Sequence, residues 1–104
     1  MMSPDNVEHR KANAPTIMVV EDTDGVRKII SMQLKTLGYR VVEAKGGREA
    51  VELAKRERPA LILMDINMPE VDGLQTTRTI RGTEEISGIP VIGFSAHHGM
   101  EIRS

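Results

Sequence analysis

Three carboxylates stand where two apolar runs stop. Thr16-Ile17-Met18-Val19-Val20 ends in Glu21-Asp22, and Leu61-Ile62-Leu63-Met64 ends in Asp65. A lone acid at the end of a strand is ordinarily a helix cap or a solvated loop residue, and Asp22 by itself fits that reading and a site equally. Two separate strands ending in acids point instead to a site. Carboxylates packed together repel one another, so at least one pKa must rise unless a cation is present. A hard divalent cation with oxygen ligands resolves the conflict. Mg²⁺ suits such a cluster, because it takes few carboxylates and keeps several waters.

The elements that must position these acids are legible as an alternation. A short, continuously apolar run reads as a strand buried on both faces, which describes 16–20 and 61–64. From Asp24 to Leu37 the residues Val26, Ile29, Ile30, Leu34 and Leu37 trace a helical stripe, and Gly38 ends it as glycine does at C′. Residues 39–44 form a second strand, mixed with polar residues and so placed at a sheet edge. Gly46-Gly47 opens a second helix that buries Ala50, Val51, Leu53 and Ala54, and Pro59 separates it from the next strand. A loop over 67–73 precedes a third helix, Leu74–Arg81, weakened by Thr76, Thr77 and Thr79. Val91-Ile92-Gly93-Phe94 is a fourth strand running into Ser95-Ala96. Strands alternating with helices imply a parallel sheet with helices on both faces and right-handed crossovers. In such sheets ligands bind outside the carboxyl ends of the strands, where strand order reverses. If the first and third strands are neighbours, all three acids converge there.

Composition narrows the function classes. The 104 residues make at most one domain. With 14 basic and 15 acidic residues, the formal net charge of −1 gives no electrostatic case for nucleic-acid or anionic-membrane partners. The absence of cysteine excludes disulfides, thiolate metal sites and cysteine nucleophiles, and it fits a cytoplasmic setting. No apolar run approaches the roughly 18 residues of a membrane span. Residues 1–15 carry charges and two prolines without an apolar stretch, and are expected to be a disordered leader to a domain over 16–104. Gly46-Gly47 lacks the P-loop pattern. An aspartyl phosphatase would want a second acid two residues after its nucleophile, and position 67 is Asn. An enzyme is therefore not expected.

Taken together, Val20-Glu21-Asp22, Leu63-Met64-Asp65-Ile66-Asn67-Met68-Pro69, Asp72-Gly73, Pro90-Val91-Ile92 and Ser95-Ala96 resemble, in order and spacing, the receiver domain of bacterial two-component response regulators. The match covers about residues 16–96. The resemblance implies a flavodoxin-like doubly wound sheet with strand order 2-1-3-4. It also implies phosphoryl transfer to Asp65 from a sensor histidine kinase or phosphotransfer protein. By the same resemblance Asp22, Asp65 and the backbone carbonyl of Asn67 ligate Mg²⁺, while Glu21 acts through a metal-bound water. Ser95 hydrogen-bonds the phosphoryl oxygens, with the backbone N–H groups of Ile66, Asn67 and Ala96 as further candidates. Asp72 is read as a helix N-cap, Met68-Pro69 as fixing the loop after the acceptor, and His97-His98 as solvated. In the family the positions of Asn67 and His97 tune hydrolysis of the acyl phosphate.

The sequence departs from the family pattern after Ser95. The last lysine is Lys55, so the family's lysine on a fifth strand has no counterpart, nor does its switch aromatic; the late basic residue Arg103 comes too soon. The expectation is a receiver truncated after its fourth strand, with the fifth strand and fifth helix missing. An unprotected fourth-strand edge would then invite self-association, and an apolar sheet face would be bared. The alternative functions are a phosphorylation-independent interaction module or a non-functional truncated receiver.

Overall fold

The computed structural model describes residues 14–68 and 73–95, together with the backbone of 101–103. Strand β1 (Thr16–Val20) is followed by helix α1 (Asp24–Thr36), β2 (Arg40–Ala44), α2 (Gly47–Glu57), β3 (Leu61–Asp65), α3 (Gly73–Arg81), a 3-10 turn (Glu84–Ile86), β4 (Val91–Ser95) and β5 (Glu101–Arg103). The sheet order is β2-β1-β3-β4-β5. The first four strands are parallel, in the expected 2-1-3-4 order, with β1 flanked by β2 and β3. Among the described residues, no helix is long and apolar enough to cross a membrane.

The edge of β4 differs from expectation. Glu101–Arg103 runs antiparallel along it, pairing Gly93 with Arg103, Phe94 with Ile102 and Ser95 with Glu101. The edge is therefore not bare over its carboxyl half. A returning chain gives the edge N–H and C=O groups the partners they require. Three residues carry too little hydrophobic pattern to announce a strand in the sequence.

Each strand sends alternate side chains to opposite faces, so β1 divides its residues between two cores. Met18 and Val20 join Ala44, Ala50, Ala54, Ile62, Met64, Met68, Ile80 and Ile86 in the larger one, under α2 and α3. Val19 packs with Ile30 and Phe94 in the smaller one, under α1, edged by the half-buried Val26, Leu34, Val41 and Leu63. The smaller core is open on one side, as a cleft of about 200 Å³ lined by Ile30, Leu34, Leu37, Leu63, Ile92 and Phe94. This cleft lies on the apolar face of the sheet that α1 covers in part. It also explains why β3 is not buried on both faces: Ile62 and Met64 are buried, while Leu61 and Leu63 are only half-buried.

Helix α1 corrects the predicted stripe. Ile30 is buried, but Ile29 and Leu37 are 59% and 72% exposed. Arg27 and Ser31 share the buried side with Ile30, and Leu37, on the same face as Ile30, borders the open cleft. Ile29 lies one position from Ile30, about 100° around the helix, and that rotation carries it off the stripe. The helix ends as Gly38 foretold. Gly38 has φ of +100°, its N–H reaches Lys35 O at 3.0 Å, and Tyr39 N–H reaches Leu34 O at 3.1 Å. This pair of bonds is the Schellman closure, which satisfies two otherwise orphaned carbonyls.

Candidate functional site

Because β1 and β3 pair in register, Val20 beside Met64, the residues that follow them leave the sheet side by side. Glu21, Asp22 and Asp65 each place one carboxylate oxygen within 4.8 Å of the other two. Glu21 and Asp65 are fully buried, and Asp22 is exposed at the rim. The cluster thus has a buried floor and a solvent-facing mouth.

The floor carries a strong electrostatic conflict. The Glu21 carboxyl is pushed from its usual value near 4.5 up to about 8. Burial is the largest cause, the carboxyls of Asp65 and Asp22 add to it, and the hydrogen bond from Thr23 N–H works against it. That bond spans 3.0 Å to Glu21 Oε1. Glu21 Oε2 is buried without a donor among the described residues. A hydrogen bond between two of these carboxyls requires one of them to hold a proton, and a cation serves the same purpose without it. An all-oxygen donor set with a buried oxygen lacking a donor fits a hard divalent ion.

The junction after β3 supplies the remaining groups. Asn67 N–H donates to Asp65 Oδ1 at 2.9 Å, closing a tight turn that holds the carboxylate. Asn67 Nδ2 donates to Ser95 Oγ at 2.6 Å, bridging 28 residues of sequence. Ser95 is buried at the end of β4, next to Phe94, which pairs with Asp65. All five expected site residues, Glu21, Asp22, Asp65, Asn67 and Ser95, therefore lie around one carboxyl edge of the sheet. One expected donor is corrected: Ile66 N–H is committed to Phe94 O at 2.9 Å, extending the β3–β4 ladder by one residue. Ala96, Asp72, Pro69, His97 and His98 lie outside the described residues.

The family profile described as the response regulator receiver domain matches residues 17–104. The chain belongs to this family. The receiver is 40% identical over 81 residues to the polar-differentiation response regulator DivK of Brucella anthropi, a match covering 78% of this chain and 66% of DivK. The chain thus spans just under two thirds of the length of the curated relatives it matches. Among solved structures it is similar to the receiver domain of sensor histidine kinase PA1611 from Pseudomonas aeruginosa, which holds a magnesium ion in its active-site cleft. That likeness has a TM-score of 0.74 and 37% identity, over 83% of this chain and 70% of the other. The N-terminal domain of a response regulator receiver protein from Methanoculleus marisnigri gives a TM-score of 0.76 and 33% identity, over 79% and 67% of the two chains.

Two residues that position the receiver's acids are not evident from the sequence. Arg27, 5% exposed, inserts its guanidinium between three elements. Nη1 donates to the Glu21 carbonyl at 2.9 Å, Nε to Glu43 Oε1 at 3.1 Å, and Nη2 to Asp24 Oδ1. Burial alone would lower the Arg27 pKa, but Asp24 and Glu43 hold it above its usual value. The same contact, chiefly the hydrogen bond from Arg27, lowers the Asp24 carboxyl. The signal available was an arginine three residues after Asp24, a spacing that faces the two side chains on a helix. The second residue is Gly73. A Cβ there would sit 3.0 Å from both the Asp65 carbonyl oxygen and Ile66 Cα, so glycine lets α3 start close against the Asp65–Ile66 backbone without displacing it.

Proposed function

We propose that this receiver domain is a phosphoacceptor of a two-component phosphorelay, carrying the phosphoryl group on Asp65. The observation that carries the reading is the convergence of Asp65 with Glu21 and Asp22, with oxygens from all three within 4.8 Å. In the reaction an Asp65 carboxylate oxygen attacks phosphorus of a phosphohistidine on a sensor kinase or phosphotransfer protein. A P–O bond forms as the P–N bond breaks, and the imidazole leaves with a proton. The product is an acyl phosphate.

Bringing an anionic nucleophile to an anionic phosphoryl group is opposed mainly by charge, so the contribution of the site is positioning and electrostatics. Mg²⁺, when bound, would neutralise that charge. Asp22, Asp65 and the Asn67 carbonyl would hold it directly, with Glu21 acting through a coordinated water. The buried Glu21 gives up its proton to allow this. Asn67 N–H fixes Asp65 Oδ1, and Ser95, with its one hydroxyl proton, hydrogen-bonds the phosphoryl oxygens. The domain takes up its own phosphoryl group and turns over no external substrate. A histidine-kinase partner places it in the cytoplasm.

The test is incubation with a small phosphoramidate donor and Mg²⁺, read by intact mass. The wild type gains one phosphoryl group that is lost in hydroxylamine, as an acyl phosphate is. Asp65→Asn gains none. Equal labelling of Asp65→Asn would contradict the proposal.

A further inference from the structure

We infer that the Asn67 side chain is a positioning residue that sets the Ser95 hydroxyl for the phosphoryl group. The inference rests on the reading of Asp65 as the phosphoacceptor and adds a residue role to it. An amide nitrogen is a donor only, and a serine hydroxyl has one proton and two acceptor lone pairs. At 2.6 Å from Oγ, Asn67 Nδ2 therefore occupies a lone pair of Ser95 and leaves its proton to be given elsewhere. Ser95 is 2% exposed, so that proton has little access to water and is most useful to a group arriving beside it. The register supplies that group: Ser95 follows Phe94, whose backbone pairs with Asp65.

Asn67 is suited to the task because it grips both partners at once. Its backbone N–H holds Asp65 Oδ1 at 2.9 Å, and its amide holds Ser95 across the gap between β3 and β4. The short side chain has few rotamers to freeze, so acceptor and hydroxyl keep a fixed relation before any ligand arrives. An aspartate here would present acceptors only, and would take the Ser95 proton instead of releasing it.

The probe is beryllofluoride, a phosphoryl mimic, titrated with Mg²⁺ into wild type, Asn67→Leu, Ser95→Ala and the double variant. Leucine keeps the size of asparagine and the backbone carbonyl; Asn67→Ala replaces it if Asn67→Leu fails to fold. Asn67→Leu, titrated at saturating Mg²⁺, weakens beryllofluoride about tenfold, the scale of one hydrogen bond to a charged group. The double variant binds no more weakly than Ser95→Ala, because the amide acts through the hydroxyl. In ligand-free protein, the χ1 couplings of Ser95 show one rotamer in wild type and averaging in Asn67→Leu. Full additivity of the two losses, or an unchanged Ser95 rotamer in Asn67→Leu, would overturn the inference. Absence of Mg²⁺-dependent beryllofluoride binding in wild type would instead remove the phosphoacceptor reading, and the rotamer measurement would still decide whether Asn67 fixes Ser95.

Discussion

The two acid-bearing junctions of this receiver are held by different means. After β1, the chain is tied by charge: Arg27 joins the Glu21 carbonyl, Asp24 and Glu43, and Thr23 N–H caps Glu21 Oε1. After β3, it is tied by neutral groups and close packing: Asn67 bonds Asp65 and Ser95, and Gly73 lies against the Asp65–Ile66 backbone. The first arrangement suits residues whose task is to stay in place around a cation. The second suits Asp65 under the proposed function, in which it changes its covalent state, since a network of fixed charges around it would then have to be broken with each phosphorylation. The division also separates stability from chemistry. The β1 junction is anchored by Arg27 to β2 and α1, whereas the β3 junction is anchored by Asn67 to β4.

The largest expected effect concerns the proton that the first junction stores. In metal-free protein, folded Glu21 keeps its proton up to about pH 8, and the unfolded chain releases it near 4.5. Between those values the folded state binds more protons, so the stability Glu21 contributes is fully present below about pH 4.5 and is lost as pH rises through 8. The loss is on the order of a few kcal/mol. Chemical denaturation of the metal-free protein at pH 5 and pH 8 measures it. Glu21→Gln should flatten the slope, and saturating Mg²⁺ should do so in wild type. A stability that rises over this interval would break the picture of a strained floor.

Next comes the charge tie itself. Arg27→Met leaves the buried Glu21 carbonyl without its donor and should cost about 2–3 kcal/mol in urea melts, the range for breaking a buried charge-assisted bond. Mg²⁺ affinity should fall with it. A variant as stable as wild type would show that Arg27 does not anchor the junction. Smaller again is Gly73→Ala, whose Cβ must displace backbone 3.0 Å away. Overpacking of this kind costs about 1–3 kcal/mol. Its signature is local, with the amide resonances of Asp65 and Ile66 shifting more than those of Glu21 and Asp22. The reverse pattern would join the two junctions into one mechanical unit. The smallest effect belongs to Asp24→Asn, which removes only the exposed end of the Arg27 network. Its melting temperature should equal that of wild type in 0.5–1 M salt, roughly the range where a surface pair is screened.

The contrast between the junctions also marks what the sequence could disclose. The alternation of elements and the three acids were legible because each rests on local pattern: apolar runs that end abruptly, and glycines such as Gly38 that end helices. Parallel pairing of β1 with β3 then came from the resemblance to receivers. Arg27 was not legible as a buried residue, because its burial depends on Glu43, 16 positions away, and a charged side chain on a helix ordinarily faces water. Helix geometry denies Ile29 a buried place, whereas Leu37 keeps the Ile30 face but lies over the open cleft. The engagement of Ile66 N–H and the strand at Glu101–Arg103 are backbone facts, and backbone pairing leaves little mark on side-chain types. Gly73 looked like a loop residue until the Asp65 backbone was seen behind it.

Whether Asp65 is the reacting carboxylate of a cation-dependent site is decided by calorimetric titration of beryllofluoride into wild type and Asp65→Asn, each with and without Mg²⁺. Binding is expected in wild type with Mg²⁺ and in none of the other three samples, with both proteins folded by circular dichroism. Binding by Asp65→Asn, or binding by wild type that is indifferent to Mg²⁺, would contradict that role for Asp65.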